Sequence, residues 1–318
     1  MKCRICGAPL GGPVFLAKEM MFGLKETFSY LKCGTCGVLQ ICDIPTDISK
    51  FYPSEYYSLA LNTYEPGSLK RFGRQMRDRY AVSGKGFFGR MLFSRFPNPE
   101  LRAFAAVPLR REMAILDMGC GKGTLLRALH NIGFRNLTGI DPYVEHEIHL
   151  SGLQILRKSI HEVEGNWDII RLHHTLEHLD GQSEALRAVA KNLKSDGLCI
   201  ISIPLVSGDA WEVYGTNWVQ LDAPRHFFLH TPESMNLLVE QARMTIRQTI
   251  YDSTGFQFWG SEQYKRGVPL MAETSYLRNP SASFFSRLDI ERFDARAVEL
   301  NRQNRGDQAT FFLVKKTP

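Results

Sequence analysis

The sequence predicts an α/β protein built on a mainly parallel sheet, with a small cysteine-bearing module at its N-terminus. Three observations predict it. From Glu112 onward, short apolar runs alternate with helical segments, which is the pattern of βαβ units. The first of those runs, Ile115-Leu116-Asp117-Met118, leads directly into a loop with glycines at 119, 121 and 123. Ahead of it all, the first 36 residues hold two Cys-x-x-Cys pairs.

The bulk properties fit this picture. A chain of 318 residues has room for one large domain and a smaller attachment. With 44% hydrophobic and 23% charged residues, it matches ordinary globular chains rather than disordered or fibrous ones. Neither a repeat nor a low-complexity tract is present. No apolar run approaches the roughly 20 residues needed to span a bilayer, and Cys3 and Cys6 stand where a secretory apolar segment would lie, so a cytoplasmic protein with no membrane partner is expected. The formal charge of +6 suits an anionic small molecule, a nucleic acid or an ordinary solvated surface.

Residues 1–50 read as a zinc-binding, zinc-ribbon-like module. Cys3 and Cys6 are separated from Cys33 and Cys36 by 26 residues, and a hairpin from Val14 to Tyr30 would fill the gap. Seven cysteines is an odd number, and in a reducing compartment two matched pairs point to metal rather than disulfides. Four thiolates form a closed tetrahedral site, which is structural rather than catalytic. A redox pair is the rival reading, while Cys42, Cys120 and Cys199 read as small buried residues. Residues 51–110 read as a linker. It opens on the aromatic run FYPSEYY and continues as a basic, partly helical stretch from Lys70 to Arg111, with Arg71, Arg74, Arg77 and Arg79 close together.

Residues 111–318 form the main domain, with seven candidate strands: MAILDM, NLTGID, LQILRK, WDIIRL, GLCIISI, TIRQTIY and ATFFLVKK. Between the fourth and fifth, Leu186, Val189, Ala190 and Leu193 recur at helical spacing over 183–194. Another helix opens at Thr231-Pro232-Glu233, which supplies a cap, a first-turn proline and an acid for the positive end of the dipole. An insertion spans about 256–308 and contains a helix from Ser283 to about Asn301.

The glycine loop is the most informative stretch. Gly119 and Gly121 let the backbone turn tightly and approach a ligand, and a loop at the carboxyl end of the first strand is where a nucleotide-like cofactor sits. A dinucleotide loop would read Gly-x-Gly-x-x-Gly, but Gly123 comes one residue early and Thr124 stands where that pattern wants glycine. Asp-x-Gly-x-Gly-x-Gly instead fits a cofactor with a cationic amino acid end and no phosphate. After the second strand, Asp141 can accept both ribose hydroxyls of an adenosine. It can equally cap a helix starting at Pro142, and the two roles are compatible.

The runs ILDMGCGKG and GIDP, the strand WDII leading into HHTLEHL, and the late LVKK resemble the class I S-adenosylmethionine-dependent methyltransferases over about residues 110–318. The resemblance implies a Rossmann-like sheet of seven strands, mostly parallel, with an antiparallel last strand. It places Asp117, Gly119, Cys120, Gly121 and Gly123 around the methionine part of the cofactor. Asp141 and Pro142 then fall at the ribose, Ser159 and Ile160 beside the adenine, and His174 along the cofactor pocket. His174, Glu177 and His178 also suggest a metal site, but the zinc-protease pattern wants His-Glu-x-x-His, and the resemblance makes this segment a helix opening in which Glu177 and His178 are structural.

After the fifth strand, a loop carries Trp211, Tyr214, Trp218, Asp222, Pro224, Arg225 and His226. Such loops collect catalytic groups. Methyl transfer is an in-line displacement, so the enzyme aligns a nucleophile and removes its proton. His226 is the candidate general base, its ordinary pKa lying near working pH; the competing reading packs it against Phe227 and Phe228. Tyr214 and Trp218 read as acceptor walls. Arg225 reads as a partner for an acceptor's phosphate or carboxylate, or as a structural ion pair.

A zinc module joined by an aromatic linker to this domain resembles a subgroup that includes sugar C-methyltransferases acting on nucleotide-linked deoxysugars. There a tyrosine and a histidine near this loop serve deprotonation of a carbon beside a ketone. Here Pro224-Arg225-His226 lacks the adjacent tyrosine and glutamate, which leaves C- and O-methylation both open. The expected acceptor is a small molecule such as a nucleotide-linked sugar or glycan precursor. The alternative is a nucleic-acid methyltransferase gripping phosphates with the zinc module and basic linker; against it, base methyltransferases show Asn/Asp-Pro-Pro-Tyr or Pro-Cys where this chain has His-His-Thr-Leu. A non-enzymatic cofactor-binding protein is the third class, and oligomeric state is left open.

Overall fold

The computed structural model describes residues 1–53 and 68–316; Ser54 to Tyr57 of the aromatic run lie outside the described residues. In chain order the elements are β1 (Val14–Lys18), β2 (Thr27–Lys32), β3 (Leu39–Ile41), α1 (Ser68–Ser83), α2 (Phe87–Arg95), α3 (Pro99–Arg102), β4 (Ile115–Met118), α4 (Thr124–Asn131), β5 (Leu137–Ile140), β6 (Ile148–Leu150), β7 (Leu153–Leu156) and β8 (Trp167–His173). They continue with α5 (Gln182–Asn192), β9 (Leu193–Pro204), α6 (Asp209–Tyr214), β10 (Phe228–Leu229), α7 (Pro232–Gln241), β11 (Met244–Tyr251), α8 (Phe256–Lys265), α9 (Arg287–Arg302) and β12 (Gln308–Lys315). The chain divides into two compact units. Residues 1–52, 174–187 and 201–318 form the first, and residues 53–173 and 188–200 the second.

The second unit is the parallel part. β4 pairs in parallel with β5 and β8, and β5 with β7. All four residues of β4 are buried, as expected of a strand covered on both faces. α4 follows the glycine loop and turns Leu125, Leu126 and Leu129 inward. All seven expected strands form, and an eighth joins them: β6 lies antiparallel on β7, completing the order β11-β12-β9-β8-β4-β5-β7-β6. The expected count of seven is therefore corrected to eight. β6 is three half-exposed residues, Ile148-His149-Leu150, too short to show either a period or an apolar run.

The first unit contains a four-stranded sheet in the order β1-β2-β3-β10. The expected hairpin is β1 with β2. β10 immediately follows His226 and pairs antiparallel with β3, Phe228 opposite Gln40, so the cysteine-bearing segment and the histidine loop share one sheet. α7 starts at the expected place, with Thr231 accepting from Ser234 N at 3.1 Å; the same Thr231 hydroxyl donates to the carbonyl of Cys36. The last strand runs antiparallel as expected, β12 against β11. α9 begins at Arg287 rather than near Ser283, because Ser286 and Asp289 form a reciprocal capping box there,. Among the described residues no helix is long and apolar enough to cross a membrane.

Candidate functional site

In the second unit, the residues expected at the cofactor, apart from His174 in the first unit, lie at the carboxyl ends of β4, β5 and β7. Gly119, Gly121 and Gly123 adopt φ of +74°, +50° and +71°, a region that costs an L side chain roughly 1–2 kcal/mol. At Gly123 a Cβ would stand 1.9 Å from Ile155 Cδ1, so the loop needs glycine there for space as well as conformation. Cys120 turns its sulfur toward Gly139, where a Cβ would come within 2.6 Å of it. The Asp141 carboxylate accepts from Gly121 N at 3.0 Å and Tyr143 N at 2.9 Å. It thereby fixes the loop, and its remaining lone pairs can still accept ribose hydroxyls. No helix follows at Pro142, which lies exposed in a turn. Ser159 and Ile160 open a short 3-10 turn after β7, Ser159 in a capping box with Glu162 and Ile160 buried.

Asp117 does not stand alone. Its directly paired neighbour on β8 is Arg171, whose Nη1 donates to Asp117 Oδ1 at 3.1 Å with both groups buried. Burial raises the Asp117 carboxyl above its ordinary range, against the opposing pull of Arg171. Arg171 Nε and Nη2 are buried with no hydrogen-bond partner among the described residues. Unsatisfied donors beside a buried acid suit an enclosed polar group of a ligand. Sequence reasoning passed over Arg171, although a lone arginine inside the apolar run WDIIRL was a visible signal.

The first unit holds the acid–base cluster. His226 is 6% exposed. Its Nδ1 donates to the Gln220 carbonyl at 2.7 Å, which leaves the Nε2 lone pair free to accept a proton. Nε2 lies 4.0 Å from Glu177 Oε1 and 3.9 Å from Asp222 Oδ2. Burial, reinforced by nearby His178, lowers His226 to about 4. The histidine is therefore held neutral well below the pH at which an exposed imidazole would charge. Burial alone would raise Glu177, but its hydrogen bond to His174 and the charges of the three surrounding histidines hold it at about 2. Its Oε2 is buried without a hydrogen-bond partner among the described residues. His178 donates through Nδ1 to the Arg225 carbonyl at 2.8 Å. Glu177, His178 and His226 bring potential ligating atoms within 4.8 Å of one another. Glu177 and His178, read from sequence as structural, thus flank the candidate base. His174 sits at a φ of +48°, with its Nδ1 on Glu177 at 3.1 Å.

The other residues of the loop are enclosed. Arg225 is fully buried. Its Nε and Nη2 bind Asp222, Nη2 also reaches Glu19 at 2.8 Å, and Nη1 donates to the Phe51 carbonyl. All three nitrogens are thus committed within the protein, so of its two sequence readings the structural ion pair is the one built here. Trp218 is likewise fully enclosed, its indole N–H on Asp307 at 2.9 Å, which makes it a core anchor rather than an exposed wall. Tyr214 is nearly buried, and burial with the Glu262 carboxylate beside it pushes its phenol up.

The four cysteines come together in the same unit. Cys3 and Cys36 sulfurs lie 3.7 Å apart, Cys6 and Cys33 3.6 Å apart, and all four fall within 4.8 Å of one another. Metal–sulfur bonds of about 2.3 Å in a tetrahedron require sulfur separations of about 3.8 Å, so the residues fit a four-thiolate site. The two knuckles are built alike: Gly7 N donates to Cys3 O and Gly37 N to Cys33 O, each at 2.9 Å, and both glycines sit at φ +75°.

A family model described as a methyltransferase domain matches residues 90–249, half of the chain, including the glycine loop, Asp141 and His226. No curated protein matches the sequence. Among solved structures, a complex of a methyltransferase activator with a candidate methyltransferase from Haloferax volcanii is 14% identical, with 76% of this chain and 98% of that chain covered and a TM-score of 0.48. An S-adenosylmethionine-dependent methyltransferase from Mesorhizobium loti is 16% identical, over 66% and 94% of the two chains, at a TM-score of 0.41. The cyclopropane synthase MmaA2 from Mycobacterium tuberculosis is 16% identical, over 67% and 81%, at 0.43. On the family match, the chain belongs to the methyltransferase-domain family and is an S-adenosylmethionine-dependent methyltransferase.

Proposed function

We propose that this enzyme methylates a small-molecule acceptor, a nucleotide-linked sugar or another glycan precursor, with His226 as general base and a structural zinc ion on Cys3, Cys6, Cys33 and Cys36. The observation that carries the reading is the enclosed, neutral His226 with two carboxylates about 4 Å from its Nε2. Bound S-adenosylmethionine supplies an electrophilic methyl group. The chain's task is to take a proton from an acceptor hydroxyl or activated carbon as that atom attacks. Nε2 accepts the proton, Gln220 holds the tautomer through Nδ1, and Glu177 and Asp222 stabilise the imidazolium. Arg225 fixes Asp222 and so positions this arrangement without touching the acceptor. Asp141 and the glycine loop, with Asp117 and Arg171 beneath them, hold the cofactor.

The test is titration calorimetry with S-adenosylmethionine and S-adenosylhomocysteine on wild type and Asp141→Ala, followed by turnover on a panel of nucleotide sugars with wild type and His226→Gln. Binding weakened at least about tenfold by Asp141→Ala, and turnover lost in His226→Gln with cofactor binding retained, are the expected results. A well-folded wild type that binds neither ligand removes the cofactor site. Cofactor binding with turnover on a nucleic acid and none on the sugar panel replaces the acceptor class.

A further inference from the structure

Between Ser68 and Phe96 the chain carries eight Lys and Arg against a single acid, Asp78. This hairpin of α1 and α2 therefore holds a net charge of +7, while the whole protein holds +6; the remaining residues together are close to neutral. Asp78 does not offset that charge outwardly, because it is 5% exposed and bound by Arg77 at 2.7 Å. Interleaved with the cations are six large apolar side chains facing water: Leu69 (84% exposed), Phe87 (77%), Phe72, Phe88, Met91 and Phe96. Leu69 and Phe72 are three residues apart on α1, and Phe87 and Met91 four apart on α2, so each pair shares a helix face.

These side chains do not hold the hairpin together. The two helices meet at Gly89, where a Cβ would stand 2.6 Å from Met76 O and 2.7 Å from Tyr80 Cβ, and the rings of Tyr80 and Phe93 pack 5.7 Å apart across the seam. The seam is thus built on Gly89, Tyr80 and Phe93, and a cluster of exposed phenylalanines within a basic helical pair marks an interaction surface.

We propose that the α1–α2 hairpin docks on an anionic lipid surface, with the phenylalanines, Leu69 and Met91 entering the headgroup–acyl boundary and the surrounding Lys and Arg pairing with lipid phosphates. Charge complementarity selects a polyanion. The apolar set selects lipid over nucleic acid: an aliphatic Leu69 and a thioether at Met91 gain nothing from a phosphodiester backbone, whereas an interface accepts both. Long basic side chains can keep their charge at the headgroups while the stem lies along an apolar neighbour, and the guanidinium of Arg95 already stands 5.6 Å from the centre of the Phe96 ring, so cation and aromatic sit side by side. Such docking needs no spanning helix.

The experiment is co-sedimentation of the full chain with phosphatidylcholine vesicles and with vesicles containing phosphatidylglycerol as well, at low and high salt. Tighter binding to the anionic vesicles by about tenfold or more, reversed by salt, is expected. Phe87→Ser with Phe88→Ser should weaken it by about tenfold. So should Arg71→Glu with Arg74→Glu, both variants being checked for retained S-adenosylmethionine binding. Equal or absent binding of wild type to the two vesicle types overturns the proposal. So does anionic binding indifferent to the phenylalanine change, or a duplex DNA bound more tightly than the vesicles. Because the wild-type lipid and salt comparison stands alone, misfolding of a variant would not spare the proposal.

Discussion

Acidification should destabilise the first unit, and two buried histidines set the size of the effect. Burial lowers both His226 and His230 from the ordinary 6.5 to about 4. His230 is fully enclosed, with Nδ1 at 3.0 Å from Ser234 Oγ and Nε2 at 2.8 Å from Gln182 Oε1. Each folded pKa lies below its unfolded value, so from pH 6.5 down to 4 the unfolded chain holds the extra proton. Stability therefore falls as pH falls through that window, by about 1.4 kcal/mol per pH unit for each histidine, and is unaffected by them above 6.5. Over the whole window each contributes about 3 kcal/mol, and the two together approach the entire stability of a typical domain, about 5–15 kcal/mol. The assay is the urea midpoint followed by tryptophan fluorescence from pH 7.5 to 4.5, since Trp211, Trp218 and Trp259 all lie in this unit. His230→Gln should lower the starting stability yet show about half the wild-type pH slope. Acid release of a bound metal would affect both proteins alike, so the difference in slope isolates His230. A midpoint flat between pH 6.5 and 4.5, or equal slopes in the two proteins, would refute the reasoning.

Two further outcomes follow from close contacts. Gly123→Ala places a methyl group 1.9 Å from Ile155 Cδ1 at a φ of +71°, so a loss of about 2–4 kcal/mol is expected by chemical denaturation; Ile155→Val, which removes that Cδ1, should restore part of it, and an unaffected Gly123→Ala would show that the loop tolerates a side chain. Cys33→Ser should abolish the one zinc per chain measured by a chromogenic chelator and lower the thermal midpoint by several degrees; because β3 pairs with β10, turnover should fall too, whereas unchanged zinc content would dismiss the four-thiolate site.

What could be read from the sequence was whatever is encoded locally. The seven strands announce themselves as apolar runs, the loop after β4 by glycines whose left-handed conformation requires them, and α7 by a cap three residues before its partner. What escaped depends on distant pairing. Asp222 stands three residues before Arg225 and makes an ion pair one of its two readings, but nothing near Arg225 in the chain says that Glu19, 206 residues earlier, and the Phe51 carbonyl will occupy the rest of the guanidinium. The same holds for Trp218, which from sequence is an aromatic in a catalytic loop but meets Asp307, 89 residues later, in the core. β10 is only Phe228-Leu229, and its partner strand lies near the N-terminus. The histidine's identity was legible while its pKa was not, since an ordinary value near 6.5 holds only for an imidazole that water can reach. These misses share a cause and bear on the chemistry. The buried contacts of Trp218 and Arg225 anchor the stretch from 218 to 226, in which the Gln220 carbonyl meets His226 Nδ1 and the Asp222 carboxylate stands near Nε2. Trp218 and Arg225 thus belong to the frame within which one neutral histidine sits enclosed, with two carboxylates about 4 Å from its Nε2.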